Sequence, residues 1–242
     1  PVLCDALSSL SKGRYFMFPI KKWGLDWWTK TANSIEISQL VSNSLLIAFF
    51  VTILSTIIAF CGALAFARFS WKGKKMFQKI ILMPVFFPQP VLGLALLLWF
   101  NAIGIPLSWH TAVFAHLVWI TPVVTLVIAI QVYGFDPTLE DAAKDLGATP
   151  FQIFWRVTLP LLWPGIWSGM LFAFLLSWGN FPLSLYTTGV DNTVPKWLYS
   201  KMVAGYTPMV PTLGTMSTLG AAGLMLLGAL TVYMMHRRQG RI

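Results

Sequence analysis

The chain has 242 residues, 17 Lys and Arg against 8 Asp and Glu, a hydrophobic content of 57% and a charged content of only 10%. A soluble domain carries about 25% charged residues, so this composition and a mean hydropathy of +0.71 exclude an ordinary water-soluble globule. The net charge of +9 does not describe a nucleic-acid surface either, because the basic residues flank apolar blocks and form no stripe interleaved with exposed aromatics.

Taken in chain order, the opening "PVLCDALSSLS" reads as the tail of an apolar segment, and a further span is expected ahead of it. Residues 11–40 combine Lys12, Arg14, Lys21, Lys22 and Lys30 with Phe16, Phe18, Trp23, Trp27 and Trp28. That mixture suits a segment lying in the headgroup layer. Five apolar blocks follow: Val41–Ala67, Ile80–Phe100, Thr111–Val132, Leu161–Leu176 with a ragged continuation, and Leu213–Met235. A bilayer crossing needs about 20 apolar residues, so the expected fold class is an all-α polytopic membrane helix bundle. Continuous blocks also exclude the alternating pattern of a membrane barrel.

Segment 68–79 carries Arg68, Lys72, Lys74, Lys75 and Lys79 without an acid, and the C-terminal tail carries Arg237, Arg238 and Arg241. Both belong on the cytoplasmic side by the positive-inside rule. Alternation then puts 133–160 in the cytoplasm and 101–111 and 177–211 outside. The outer placement of 11–40 runs against its own charge. The division expected is the tail of a first span and an outer interfacial segment at 1–40, a transmembrane domain at 41–235 with a cytoplasmic loop at 136–160, and a cytoplasmic tail at 236–242.

Ala59, Ala63 and Ala67, and Gly165 with Gly169, recur at the four-residue spacing that lets helix backbones approach. Prolines interrupt the second block (Pro84, Pro88, Pro90), the third (Pro122) and the fourth (Pro160, Pro164). No Asp, Glu, Lys or Arg lies within the five blocks, and His116 reads as a hydrogen-bonded structural residue. A carrier driven by an ion gradient needs intramembrane ion sites, so the energy is expected from elsewhere. Cys4 and Cys61 lie in apolar context and are expected as small buried hydrophobes. With His110, His116 and His236 in three different regions, no nucleophile–base or metal constellation converges, and no enzyme is expected.

The loop 136–160 departs from its oily surroundings. Asp136-Pro137 is a helix start, after which Leu139, Ala142, Ala143 and Leu146 form one narrow apolar stripe. Glu140 and Lys144 are placed as an i, i+4 ion pair on another face. Gly147 ends this helix at a position that favours a left-handed residue, and Thr149-Pro150-Phe151-Gln152 opens a second helix with a capping box. Four acids against two basic residues in 133–160 disfavour an anionic lipid surface. A small-residue stripe fits a groove on a protein partner better.

Asp141-Ala142-Ala143, Gly147 and Val157-Thr158-Leu159-Pro160 resemble the EAA loop of ABC-type importer permeases. There an acid-Ala-Ala triplet is followed by three residues, Gly, nine residues and Ile-x-Leu-Pro. "NSLLIAFFVTILSTIIAFCGALAFARF" and "LMPVFFPQPVLGLALLLWF" extend the likeness over most of the chain, toward spermidine/putrescine-type permeases of the MetI-like fold. The resemblance implies six spans with both termini cytoplasmic, in the bacterial inner membrane. Implied partners are a second permease subunit, a pair of ATP-binding subunits and an extracytoplasmic solute-binding protein, all working beside membrane lipid. ATP and Mg would be bound by the ATPase partners, since this chain has no phosphate-cradling Gly-rich loop. Glu140, Asp141, Ala142, Ala143, Gly147, Leu159 and Pro160 would form the ATPase-coupling element. Where polyamine permeases usually carry an Asp-Asp pair, this chain has Trp178-Gly179-Asn180-Phe181. A cation loses its most direct partners there. Trp178, Asn180, Tyr186 and Tyr199 remain as aromatic and amide contacts for a polar organic solute, or as residues of an interfacial belt. A self-powered secondary transporter or channel is the alternative reading.

Overall fold

The structure is a computed structural model that describes residues 2–13 and 19–238, apart from the side chains at 235, 236 and 238. Arg14, Phe16, Phe18 and Arg241 lie outside the described residues. Twelve α-helices occupy the described chain: α1 (Val2–Ser9), α2 (Asp26–Ala32), α3 (Ile35–Ala63), α4 (Lys74–Phe86), α5 (Gln89–Ala102), α6 (Trp109–Tyr133), α7 (Thr138–Asp145), α8 (Pro150–Ile153), α9 (Leu159–Trp178), α10 (Phe181–Thr187), α11 (Val194–Ala204) and α12 (Met209–Arg238). Two π-helical turns, Leu64–Arg68 and Phe154–Thr158, continue α3 and lead into α9. Among the described residues the only β pairing is an isolated bridge between Ser11 and Trp23.

Four helical stretches are long and apolar enough to cross a membrane: Ile35–Arg68, Trp109–Tyr133, Pro150–Trp178 and Met209–Met234. They contain four of the five expected blocks. The remaining block, Ile80–Phe100, is not one continuous helix. It is broken between α4 and α5, where Phe87 turns to an extended conformation with ψ 134. A residue preceding proline is driven out of the helical region by the proline ring, and Pro88 follows Phe87. Counting this broken pair as one span gives five.

The chain divides into two compact units. The first comprises Pro1–Phe49, Gln89–His116 and Trp178–Leu226. Its core joins Ile37, Leu40, Val194, Trp197 and Leu213. The Trp197 indole donates to Glu36 Oε1 at 2.6 Å, and the Val194 amide donates to Ser44 Oγ at 2.9 Å. Helices α5 and α10 meet where Gly93 leaves room for the Tyr186 ring.

The second unit comprises Phe50–Pro88, Leu117–Ser177 and Leu227–Ile242. The glycine spacing of α9 has the consequence expected of it. A β-carbon on Gly165 would meet Gln131 Cβ at 2.5 Å, and one on Gly169 would meet Ile128 Cγ1 at 2.8 Å. Helices α6 and α9 therefore pack through these two glycines. Ala59 and Ala63 are fully buried as well. Cys4 and Cys61 are exposed rather than buried. A thiol in a spanning helix needs no protein cover to leave water, so apolar context does not imply burial within the chain.

The α6–α9 contact can be tested directly. Gly165→Ala is expected to cost about 1–3 kcal/mol, the range for overpacking, because its β-carbon strikes the stem of Gln131 rather than a flexible tip. Gly220→Ala, with nothing within 4 Å, is the control. In detergent, the apparent Tm should fall for the first variant and hold for the second; equal melting would refute the close packing.

Candidate functional site

The polar loop 136–160 folds into two short helices, as its punctuation requires. Asp136 Oδ1 accepts the Thr138 amide at 3.0 Å, a side-chain turn two residues ahead of α7, while the residue at the cap position is Pro137. Its carboxyl is held below the usual value by hydrogen bonds from Thr138. At the other end Gly147 has φ +82. Its amide donates to Lys144 O at 2.8 Å and the Ala148 amide donates to Ala143 O at 3.0 Å, the paired closure of a Schellman turn. The capping box at the start of α8 is complete: Gln152 N donates to Thr149 Oγ1, and Thr149 N donates to Gln152 Oε1 at 2.9 Å.

The faces of α7 differ sharply in burial. Leu139, Ala142 and Leu146 are exposed, Leu146 at 89%. Asp141 is exposed too, and Ala143 is half-buried. Glu140 is only 7% exposed. It does not pair with Lys144, contrary to the i, i+4 expectation. Lys144 Nζ instead reaches Asp141 Oδ1 at 2.7 Å, which holds its pKa above the ordinary value. The Glu140 carboxylate accepts from the Arg68 guanidinium and from Thr158 Oγ1. A surface i, i+4 pair stabilises by only about 0.2–0.5 kcal/mol, so a partly buried guanidinium displaces it easily. Burial pushes the Glu140 carboxyl up, but the hydrogen bonds from Arg68 and Thr158, with the charges of Arg68 and Lys144, bring it below its ordinary 4.5. A lowered folded-state pKa stabilises fully above that ordinary value and loses its effect as pH falls through the lowered one. At neutral pH the network is charged and complete.

Arg68 and Thr158 were not singled out as site residues by sequence. Arg68 is the last residue of the first π-helical turn and Thr158 the last of the second. Arg68 also lies 5.4 Å from the Phe135 ring. The carbonyls released at the end of α3 find side-chain donors: Phe66 O accepts from Gln78 Nε2 at 3.1 Å and Tyr133 Oη at 3.4 Å, and Ala65 O from Trp71 Nε1 at 3.2 Å. A cavity of about 240 Å³ opens beside the network, lined by Leu64, Arg68, Glu140, Lys144, Ile153 and Phe154 among others. Leu159 and Pro160 begin α9 directly after the second π-helical turn.

The four residues considered for a solute path belong to the first unit but play separate parts. Asn180 is buried, and its side chain caps α10 by accepting the Leu183 amide at 3.1 Å. Trp178 donates its indole N–H to Ser217 Oγ at 2.8 Å. Tyr186 packs on Gly93 of α5. Tyr199 is exposed and its ring lies 4.5 Å from that of Phe181. His116 is buried, with Nε2 3.1 Å from Ser184 Oγ, the structural part expected of it.

The family model for the binding-protein-dependent transport system inner membrane component matches residues 56–241. The chain belongs to this family. Among curated relatives, the spermidine/putrescine transport system permease protein PotC of Haemophilus influenzae is 30% identical over 95% of this chain and 90% of its own length. The putrescine transport system permease protein PotI of Escherichia coli K12 is 31% identical over 90% of this chain and 79% of its own. A chain of a bacterial ABC transporter involved in import of the acidic polysaccharide alginate superposes with TM-score 0.73 at 15% identity, covering 96% of this chain and 88% of that one. A chain of the MetNI methionine ABC transporter superposes with TM-score 0.66 at 17% identity, covering 84% and 99%. The protein is thus a multi-pass permease subunit of an ABC importer, with an all-helical MetI-like fold. The self-powered carrier finds no support.

Two expected outcomes follow for the permease. Gly147→Val places a β-branched residue at a left-handed position with nothing within 4 Å to clash, so its cost is backbone strain of about 1–2 kcal/mol. Amide exchange at Ala148 should accelerate accordingly, and Gly147→Asn should lie between; unchanged exchange in both would disprove the turn. Asn180→Ala removes the cap of α10 and should cost about 1 kcal/mol, whereas Asn180→Ser keeps an uncharged acceptor at this buried position and should recover part of it. An apparent Tm for Asn180→Ala equal to that of the unaltered protein would exclude the capping role.

Proposed function

We propose that the permease forms half of a translocation pathway for a small polar organic solute, polyamine-like or related, delivered by an extracytoplasmic solute-binding protein. A second permease subunit supplies the other half. A pair of ABC ATPase subunits binds ATP and Mg and drives the cycle, and α7 is the coupling helix that seats in one of them. The C-terminus and the loop 136–160 lie in the cytoplasm, in keeping with the basic segments 68–79 and 237–241.

The observation that carries the coupling role is the outward stripe of Leu139, Ala142 and Leu146 on a helix whose polar inner face is already satisfied. An apolar helix face left open in this way fits a groove on a protein partner. Asp141 and Ala143 border the stripe, Gly147 closes it, and Leu159-Pro160 begins the span that would carry the motion. The polyamine names of the relatives support the class of solute, while Asn180 in place of an acid favours neutral or weakly cationic members of it. Trp178, Asn180, Tyr186 and Tyr199 are the proposed path residues, with Asn180 acting through the position of α10.

Leu146→Asp and Asp141→Lys test the docking face, because neither side chain is used inside the chain's own core. Both variants should insert at normal levels, yet co-purify with the ATPase subunit at roughly a tenth of the usual yield, as the loss of about 1.4 kcal/mol at an interface would give. ATP-driven uptake should fall in parallel. Normal co-purification by both would remove α7 from the ATPase interface.

A further inference from the structure

We propose that Glu140 is a positioning residue, a latch that makes α7 move as one body with the ends of α3 and α9 that flank it. The inference rests on the coupling role of α7 and adds how its displacement is passed on. Three elements separate in sequence converge on one carboxylate. Its first partner, Arg68, ends the π-helical turn that follows α3. Its second partner, Thr158, ends the π-helical turn that precedes α9. A π-helical turn inserts one residue into an α-helix, which rotates the register beyond it by about 100°. Both partners thus stand at positions whose direction depends on an irregular turn. That the two irregular turns found in the described chain both end at Glu140 is the observation behind the proposal.

The network is also built to resist slippage. Arg68 is held against Phe135, the residue just before the loop, and the carbonyl of Phe66 within the same π-helical turn accepts from Gln78 and Tyr133. Thr158 is buried. Glu140 is the one buried residue of helix α7, so without it the helix is left with the half-buried Ala143 and its two connections, one of them the turn at Gly147. A push on the outward stripe would then tilt α7 on those connections instead of moving the spans. With the carboxylate in place, the push acts on α3 and α9 together.

Spin-label distances test this in the importer assembled with its ATPase and second permease subunits. One label goes on Cys61, which is exposed on α3, and one on Asp145→Cys in α7, with Cys4→Ser in the background. In the otherwise unaltered protein the distance distribution should be narrow and the same with and without vanadate-trapped ATP and Mg. Glu140→Gln should broaden it roughly twofold through local opening, and Thr158→Val, which leaves the ion pair, should broaden it less. The exchanged pair Arg68→Glu with Glu140→Arg should narrow it again. Both single variants should still co-purify with the ATPase subunit, unlike the docking-face variants. Unchanged distributions in Glu140→Gln and Thr158→Val, or a distance in the unaltered protein that shifts with trapped nucleotide, would overturn the latch. Failure of the docking-face variants to affect co-purification would overturn the coupling role alone.

Discussion

One buried carboxylate organises the polar loop 136–160 of this permease. The Glu140 side chain is 10% exposed and that of its partner Arg68 27%, so loss of Arg68 would leave a mostly buried charge uncompensated. Its two partners come from residues 68 and 158, so satisfying it sets the places of three chain segments at once. The exposed stripe of α7 follows from this choice. An eight-residue helix turns its opposite side outward once Glu140 faces in.

Irregular backbone recurs along the chain. The two π-helical turns, the break at Phe87-Pro88 and the left-handed Gly147 all interrupt otherwise regular helices. In lipid every freed backbone group needs a partner, and here side chains supply them. Gln78, Tyr133 and Trp71 serve the end of α3. Elsewhere the bond satisfies the hydroxyl rather than the backbone: Thr212 and Thr215 donate to the carbonyls of Pro208 and Pro211 one turn back, as Ser168 does to Pro164. These span hydroxyls are thus engaged within their own helices.

The same economy bears on the solute. The side-chain oxygen of Asn180 is engaged by the Leu183 amide, and the Ser184 hydroxyl donates to its backbone carbonyl at 2.6 Å. Recognition of a charged ligand by this residue would compete with the start of α10.

The helical class, four of the five expected spans, the close-packing glycine spacing of α9, the left-handed end at Gly147 and the capping box at Thr149 were legible from sequence, because each is written in one contiguous stretch of the chain. Tertiary structure decided the rest. Glu140 and Lys144 have the spacing of a pair, yet Glu140 turns to Arg68, 72 positions away, since a partner brought close by folding and shielded from water outweighs an exposed neighbour. Arg68 read only as a topology marker because its charge was visible and its partner was not. The cysteines read as buried because apolar context and protein cover coincide in water but not in lipid. Local chemistry is written in neighbouring residues; which distant group meets a buried charge is settled only when the chain closes around it.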